Sequence, residues 1–270
     1  MKLAIERPKR VRISGHGGME LAGLLQRGRE PSSGAVVVCH CFTCSKDYKS
    51  LAWLARALAQ FGFTVLRFDF AGLGDSSGDF RDTNLSTDIE DLIAATDWLE
   101  RVQGERLLGL VGHSMGGAAA ILAAARRPDP VPVAVLGTSG VVGGRIRRLL
   151  HPGDFENLER TGETTVTIHR RRFPLTVEFL QDLERHDLLR AVAGWRCPLL
   201  VVHGTDDAIV PFADAEELYA AATAPKSFLT VPAGDHLFVA RRSLAPSVAR
   251  VLAGWFELHA SSINQNGESL

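Results

Sequence analysis

Short apolar runs alternate with amphipathic stretches along most of the chain. Residues 12–14 and 21–26 flank Gly15-His16-Gly17-Gly18, a pattern that predicts an opening β-hairpin. A polar turn at 30–34 leads into residues 35–39, a valine-rich run typical of a strand buried on both faces. Residues 51–60 carry apolar side chains at helical spacing and stop near Gly62. Residues 64–70 read as the next strand and 71–78 as a loop rich in glycine and serine. In 87–102 the interior positions Leu92, Ile93, Thr96 and Leu99 follow the 3.6-residue period of a helix. An apolar strand at 107–111, a tight turn and an alanine-rich helix come next. Strands at 131–136, 198–203 and 228–231, a helix at 213–222 and a final amphipathic helix at 244–259 complete the pattern.

Strands alternating with helices imply an α/β fold, with a mostly parallel twisted sheet covered by helices on both faces. Between residues 139 and 194 the alternation lapses, and charged clusters stand at 145–148, 156–163 and 169–172. A stretch of that length suits a cap inserted between sheet strands, here expected at about 141–193. The expected organisation is one domain over 1–260 with that insertion, followed by a polar, frayed tail at 261–270. With 270 residues, 46% of them hydrophobic, the chain can bury one substantial core. The sequence shows no internal repeat.

A formal net charge of −1 gives no electrostatic case for nucleic acid or an anionic membrane as partner. Residues 1–12 are charged and lack an apolar segment, so no signal peptide is expected. No apolar run is long enough to span a bilayer. The four cysteines are Cys39, Cys41, Cys44 and Cys197. Three crowd into one stretch, which is not a spaced disulfide framework, and a reducing cytoplasm is the expected location. Cys39, Cys41, Cys44 and His40 raise the question of a metal, but the cluster has no matching second half and none is expected. Cys41-Phe42-Thr43-Cys44 has the C-x-x-C spacing without the preceding helix of a thioredoxin-like motif.

The chemistry centres on Gly112-His113-Ser114-Met115-Gly116, a G-x-S-x-G sequence between an apolar strand and a helix. Such a turn holds a serine nucleophile in a strained conformation, and the following helix aims free N–H groups at developing negative charge. Serine needs a base, and the base an orienting acid, in the chain order Ser, Asp or Glu, His. His203-Gly204-Thr205-Asp206-Asp207 and Gly234-Asp235-His236 each follow a strand, on the sheet edge that carries Ser114. Asp206 and Asp207 both compete for the acid, and His236 is the base. Met115 supplies one oxyanion-hole amide, and the loop after the third strand a second. Eight of the nine histidines receive ordinary roles. His40 and His203 end strands, and His113 is expected to point away from the nucleophile. His16, His151, His169, His186 and His259 fall in hairpin, cap or surface contexts.

His203-Gly204-x-x-Asp207-x-x-Val210-Pro211 resembles the H-G-x-x-D-x-x-V-P signature of α/β hydrolases, which selects Asp207 and leaves Asp206 as a turn residue. His40-Cys41-Phe42-Thr43-Cys44-Ser45-Lys46-Asp47 resembles the H-G-F-T-G-x-K loop of small esterases and feruloyl-esterase-like hydrolases, which makes the Phe42 amide the second donor. Cysteines replace both family glycines, and cysteine tolerates positive φ poorly. Cys41 is expected to line or back the pocket wall as a thiol with no covalent chemistry. This loop, Leu66-Arg67-Phe68-Asp69-Phe70-Ala71-Gly72-Leu73-Gly74 and Gly112–Gly117 together resemble a subgroup of the α/β hydrolase superfamily whose hydrolase domain is often fused to an OsmC-type peroxide-reducing domain. Phe155-Glu156-Asn157-Leu158, Phe179-Leu180-Gln181-Asp182-Leu183 and Pro225-Lys226-Ser227-Phe228 extend the likeness, which covers roughly residues 12–257. It does not reach the OsmC-type domain, so no peroxidase activity is expected.

The resemblance implies an α/β-hydrolase fold and a serine carboxylesterase with Ser114, Asp207 and His236 as its triad. The expected substrate is a small, short-acyl ester and no cofactor is required. A thioesterase, lactonase or amidase would use the same residues. A non-catalytic binding protein on this scaffold would usually lack a triad position, and here all three are filled. A redox or metal protein built on the cysteine cluster is the third class.

Overall fold

The computed structural model describes residues 6–29, 32–168, 170–223, 225–239 and 243–266, with side chains through residue 260. Residues 1–5 of the charged N-terminal stretch, 30 and 31 of the polar turn, His169, and 267–270 of the polar tail lie outside them. The chain opens with an antiparallel pair, β1 (Lys9–Ser14) and β2 (Glu20–Gln26). β1 is an edge strand, and Lys9, Arg10 and Arg12 give it the charge that discourages edge-to-edge pairing. β3 (Gly34–Cys39), α1 (Lys49–Gln60), β4 (Phe63–Phe68), α2 (Leu85–Arg101), β5 (Leu107–His113), α3 (Met115–Ala125) and β6 (Val133–Leu136) follow in alternation.

Residue types account for most boundaries. Asn84 caps α2 reciprocally with Thr87, so the helix begins before the Thr87 that apolar spacing predicts. β6 begins at Val133 rather than at 131, because Pro132 has no N–H to give a ladder. α3 is buried nearly all round, as its run of alanines allows, and lies between the sheet and the segments after β6.

Residues 142–193 are more regular than their composition suggests. They form α4 (Val142–Arg147), α5 (Pro152–Thr161), the antiparallel hairpin β7 (Glu163–Ile168) and β8 (Arg171–Thr176), α6 (Val177–Glu184) and α7 (Leu188–Ala193). Thr164 and Val166 point inward and Thr165 and Thr167 outward, so β7 carries strand alternation that its charged flanks obscure. β9 (Leu199–Gly204), α8 (Phe212–Ala221), β10 (Lys226–Val231) and α9 (Leu244–Asn266) return the chain to the sheet. The backbone stays helical to Asn266, past His259, so the first part of the expected tail belongs to α9.

The eight-stranded sheet has the order β1-β2-β4-β3-β5-β6-β9-β10. β2 pairs antiparallel with β4, and every pair from β4 to β10 is parallel. Two apolar layers cover it. α2, α3, α8 and residues of 142–193 pack on one face, and α1 and α9 on the other. β3 and β5 lie in the middle of the sheet and β9 one strand in from the β10 edge; all three are buried on both faces, so the loops at their C-terminal ends rest on a constrained part of the fold. Among the described residues no helix is long and apolar enough to cross a membrane.

Candidate active site

Ser114 follows β5 at φ 54°, ψ −118°, a left-handed conformation that costs a non-glycine residue energy. Small neighbours make the turn possible. A Cβ on Gly112 would strike the Gly116 carbonyl, and one on Gly116 would strike the His40 carbonyl. β5, α3 and the loop after β3 therefore meet at backbone contact. Among the described residues the amides of Phe42 and Met115 make no hydrogen bond, and both residues line the same cleft as Ser114. The Met115 amide lies in the first turn of α3, where N–H groups have no partner within the helix.

Asp207 and His236 come from the loops after β9 and β10. These loops lie together because the Asp206 amide donates to the Gly234 carbonyl at 3.0 Å and the Ala233 amide to Thr205 Oγ1 at 2.8 Å. His236 Nδ1 is 2.8 Å from Asp207 Oδ2. A carboxylate only accepts, so Nδ1 carries the hydrogen and Nε2 is the ring's accepting nitrogen. Asp207 Oδ1 accepts from the amides of Ile209 at 2.9 Å and Val210 at 2.8 Å. Burial opposes the charge on Asp207, but His236 and these amides outweigh it and hold the carboxyl below the usual range. Asp206 instead accepts from the Thr205 hydroxyl and is exposed at Thr205's own turn.

Three residues around this pair do more than their local sequence suggests. His113 lies inside the elbow with its Nε2 2.7 Å from the His236 carbonyl, so it ties the end of β5 to the His236 loop. Burial, with His236 beside it, pushes the His113 imidazole down to about 3, and the ring is neutral at ordinary pH. Gly137 has φ 59°, and a Cβ there would come within 3.2 Å of His236 Nδ1 and 3.3 Å of Asp207 Oδ2. His203 donates from Nε2 to the Val210 carbonyl at 2.9 Å and stiffens the turn that carries Asp207.

The loop 40–47 departs from the free thiol expected at Cys41. Cys41 and Cys44 are joined in a disulfide with their Cα atoms 5.4 Å apart. A turn around Thr43 brings them together, and Thr43, at φ 60°, takes the left-handed position that neither cysteine occupies. The reducing compartment expected from cysteine usage assumed free thiols, and two of the four are bonded here. Cys39 stays free and buried at the end of β3, where burial raises its thiol far above the usual range. Among the described residues no group of three or more histidines, cysteines or acids is placed to hold a metal.

Anchors flank this loop on both sides. His40 accepts from the Phe70 amide at Nε2, 3.2 Å, and so donates from Nδ1 to the Cys41 carbonyl at 2.9 Å. Lys46 is buried, and its Nζ reaches Asp69 at 2.8 Å and Asp75 at 2.7 Å. Burial disfavours the ammonium, but these carboxylates and Asp47 prevail and hold its pKa above the ordinary value. The cleft beneath the loop encloses about 600 Å³. Phe42, Met115, Ile146 and Leu237 give it apolar walls, and Arg148, Asp206 and Asp235 supply charge. Arg145 also lines it, but Arg145 pairs with Asp214 on α8, which accepts from Ser139 Oγ as well.

Residues 36–245 match the alpha/beta hydrolase family. The chain belongs to that family. The crystal structure of the esterase domain of a Rhodothermus marinus protein is similar at TM-score 0.76 and 36% identity, over 94% of this chain and 100% of that one. Est1E from Butyrivibrio proteoclasticus with ferulic acid bound has TM-score 0.78 and 21% identity over 90% and 97%, a likeness of fold. The mouse (Mus musculus) palmitoyl-protein thioesterase ABHD10, mitochondrial, is 28% identical over 156 residues, 56% of this chain and 51% of its own. The chain thus spans about half the length of that relative. In this hydrolase the supports contributed by His113, Gly137, His40 and Lys46 were not visible in the sequence. Each acts on a residue distant along the chain, whereas the glycine–serine spacing of the elbow and a histidine placed after a strand are local signals.

Proposed function

We propose that this hydrolase is a serine-dependent carboxylic ester hydrolase for small, short-acyl esters. The observation that carries the reading is the left-handed Ser114 in one cleft with His236, whose Nδ1 is held by Asp207 at 2.8 Å. Ser114 Oγ attacks the ester carbonyl while His236 Nε2 takes its proton. Asp207 keeps the ring in that tautomer and stabilises the imidazolium. The amides of Phe42 and Met115 hold the oxyanion, each donor worth about 3 kcal/mol. The alcohol leaves with the proton from His236, and water, activated by the same nitrogen, releases the acid from the acyl-serine.

Charge at the cleft from Arg148, Asp206 and Asp235 supports short over long acyl chains. The motif likeness to the hydrolase domain of the OsmC-fused subgroup supports ester chemistry as well. A second reading, thioester hydrolysis by the same residues, draws on the name of the mouse relative.

A series of p-nitrophenyl esters of increasing acyl length, run beside matching acyl thioesters, tests the proposal. Acetate or butyrate esters should turn over fastest, and Ser114→Ala should lose roughly 10⁴-fold or more with its melting temperature retained. Faster hydrolysis of long-chain esters would contradict the chain-length reading, and preferred thioester turnover would favour the second one.

A further inference from the structure

Cys41 and Cys44 enclose only two residues, Phe42 and Thr43, and the proposed function assigns the Phe42 amide to the oxyanion. We propose that Cys41–Cys44 is a reversible dithiol–disulfide site that sets the Phe42 amide in place and thereby sets turnover. Its co-reactant is a dithiol reductant entering through the active-site cleft. The effect on turnover rests on the ester-hydrolase reading, whereas the disulfide and its access do not.

Position supports this role. Both cysteines line the cleft, and Cys44 is the more exposed of the two. Cys39 and Cys197 are buried, and burial raises both of their thiols, so they are poor competitors for exchange. Of the loop's noncovalent anchors, Lys46 lies beyond the bracketed pair, and His40 holds the Cys41 carbonyl, the other end of the peptide that carries the Phe42 amide. Between them the arc has only short local bonds. The Cys44 amide donates to the Cys41 carbonyl at 3.1 Å, and Thr43 Oγ1 to the Phe42 carbonyl at 2.7 Å. The disulfide is the one covalent tie across the Phe42 peptide.

Thr43 holds φ 60° within that tie, a conformation a β-branched residue rarely adopts. Once the tie is cut, Thr43 can relax towards negative φ, the Cys44 amide parts from the Cys41 carbonyl, and the peptide that carries the Phe42 amide is left with the His40 contact alone. The Phe42 ring is held separately, with ring centroids 5.7 Å from Phe80 and 5.5 Å from Phe179. Reduction therefore moves the amide more than the pocket wall, and the expected signature is a change in kcat with little change in KM.

The exchange balances. A reductant thiolate attacks Cys44 Sγ, the S–S bond breaks, and Cys41 leaves as a thiolate that takes a proton from water. The reductant's second thiol gives up its proton and attacks the mixed disulfide. It closes the reductant's own disulfide and releases Cys44, which is protonated in turn. Two electrons and two protons pass to the protein pair.

The test compares the purified chain oxidised and after dithiothreitol. Alkylation with mass spectrometry reads the state of Cys41 and Cys44, 15N relaxation reads the mobility of the Phe42 amide, and a short-acyl p-nitrophenyl ester reads kcat and KM. Reduction should free both thiols, raise the mobility of the Phe42 amide and lower kcat about tenfold, a part of the 10²–10³ that a whole oxyanion donor supplies. KM should stay within about twofold, in keeping with an interaction made mainly in the transition state. Reoxidation should restore the rate. The Cys41→Ser/Cys44→Ser double variant should show one rate under both treatments, and Cys39→Ala should respond like the wild type. Free thiols at 41 and 44 in both treatments, or unchanged mobility of the Phe42 amide on reduction, would overturn the proposal whether or not ester is hydrolysed. So would an unchanged kcat, or a double variant that still responds. Ester left intact by both forms, with the Phe42 amide still responding, contradicts the ester-hydrolase reading and with it the link to turnover.

Discussion

Asp207 divides its two carboxylate oxygens between two tasks. Oδ2 faces His236, and Oδ1 is occupied by the amides of Ile209 and Val210. The amides fix the carboxylate's orientation, and with it the direction in which His236 presents Nε2. Asp206, one residue earlier, points into its own turn and accepts from the Thr205 hydroxyl. Asp207→Asn should therefore cost several thousandfold in kcat, because an amide cannot hold the imidazole in the required tautomer. Asp206→Asn should stay within a fewfold of the wild type. Both variants measured on one ester decide the matter, and a crippled Asp206→Asn would reverse the assignment. Ser114 and His236 were legible from local sequence, since a glycine-flanked serine and a histidine after a strand carry their context with them. The choice between neighbouring aspartates needed the hydrolase signature, because both are loop acids in the same sequence. Gly137 was not legible at all, for its reason to be a glycine is a contact with Asp207 and His236, distant in the chain.

At the scale of elements, the sheet strands were readable because burial on both faces leaves unbroken apolar runs, as in β3 and β9. Residues 142–193 were not, because their short helices and hairpin each bury only one side against a neighbour. α4 is tied down by charge rather than by a broad apolar face. Arg145 pairs with Asp214 on α8, and the Ser139 hydroxyl donates to the same carboxylate at 2.5 Å. Asp214→Asn leaves the guanidinium without its partner in a partly buried setting, a change that costs about 3 kcal/mol where such pairs are well enclosed. The variant should unfold at lower urea concentration and, with α4 loosened over the cleft, show a raised KM and a nearly unchanged kcat. Equal urea midpoints and equal KM values would show that this pair does not hold α4.

On the scale of the whole molecule, buried histidines at the C-terminal edge of the sheet make the fold sensitive to acid, while Asp88, whose carboxyl burial and the nearby Asp91 and Asp182 hold well above the usual range, works against them. Burial lowers His113 to about 3 and moves His40 in the same direction. Between the ordinary histidine value of about 6.5 and those lowered values, the unfolded chain binds protons that the folded chain does not. Stability is therefore lost as pH falls through that window, by up to about 1.4 kcal/mol per pH unit for each histidine. Asp207 adds to the loss at lower pH, since its carboxyl is depressed in the folded state and its contribution disappears as it protonates. Urea unfolding from pH 7 to pH 4 should show the slope, and His113→Asn should flatten it by about one proton. An equal slope in the variant would mean that His113 takes up its proton without unfolding the chain.

The proposed hydrolysis depends most on Ser114 as the nucleophile. Reaction of the native protein with a serine-directed phosphonate, followed by peptide mass spectrometry, tests this most directly. One adduct per chain is expected, on Ser114, with ester hydrolysis lost in proportion to labelling and no adduct in Ser114→Ala. A fully active protein that leaves Ser114 unlabelled, or an inactivating adduct on any other residue, would contradict it.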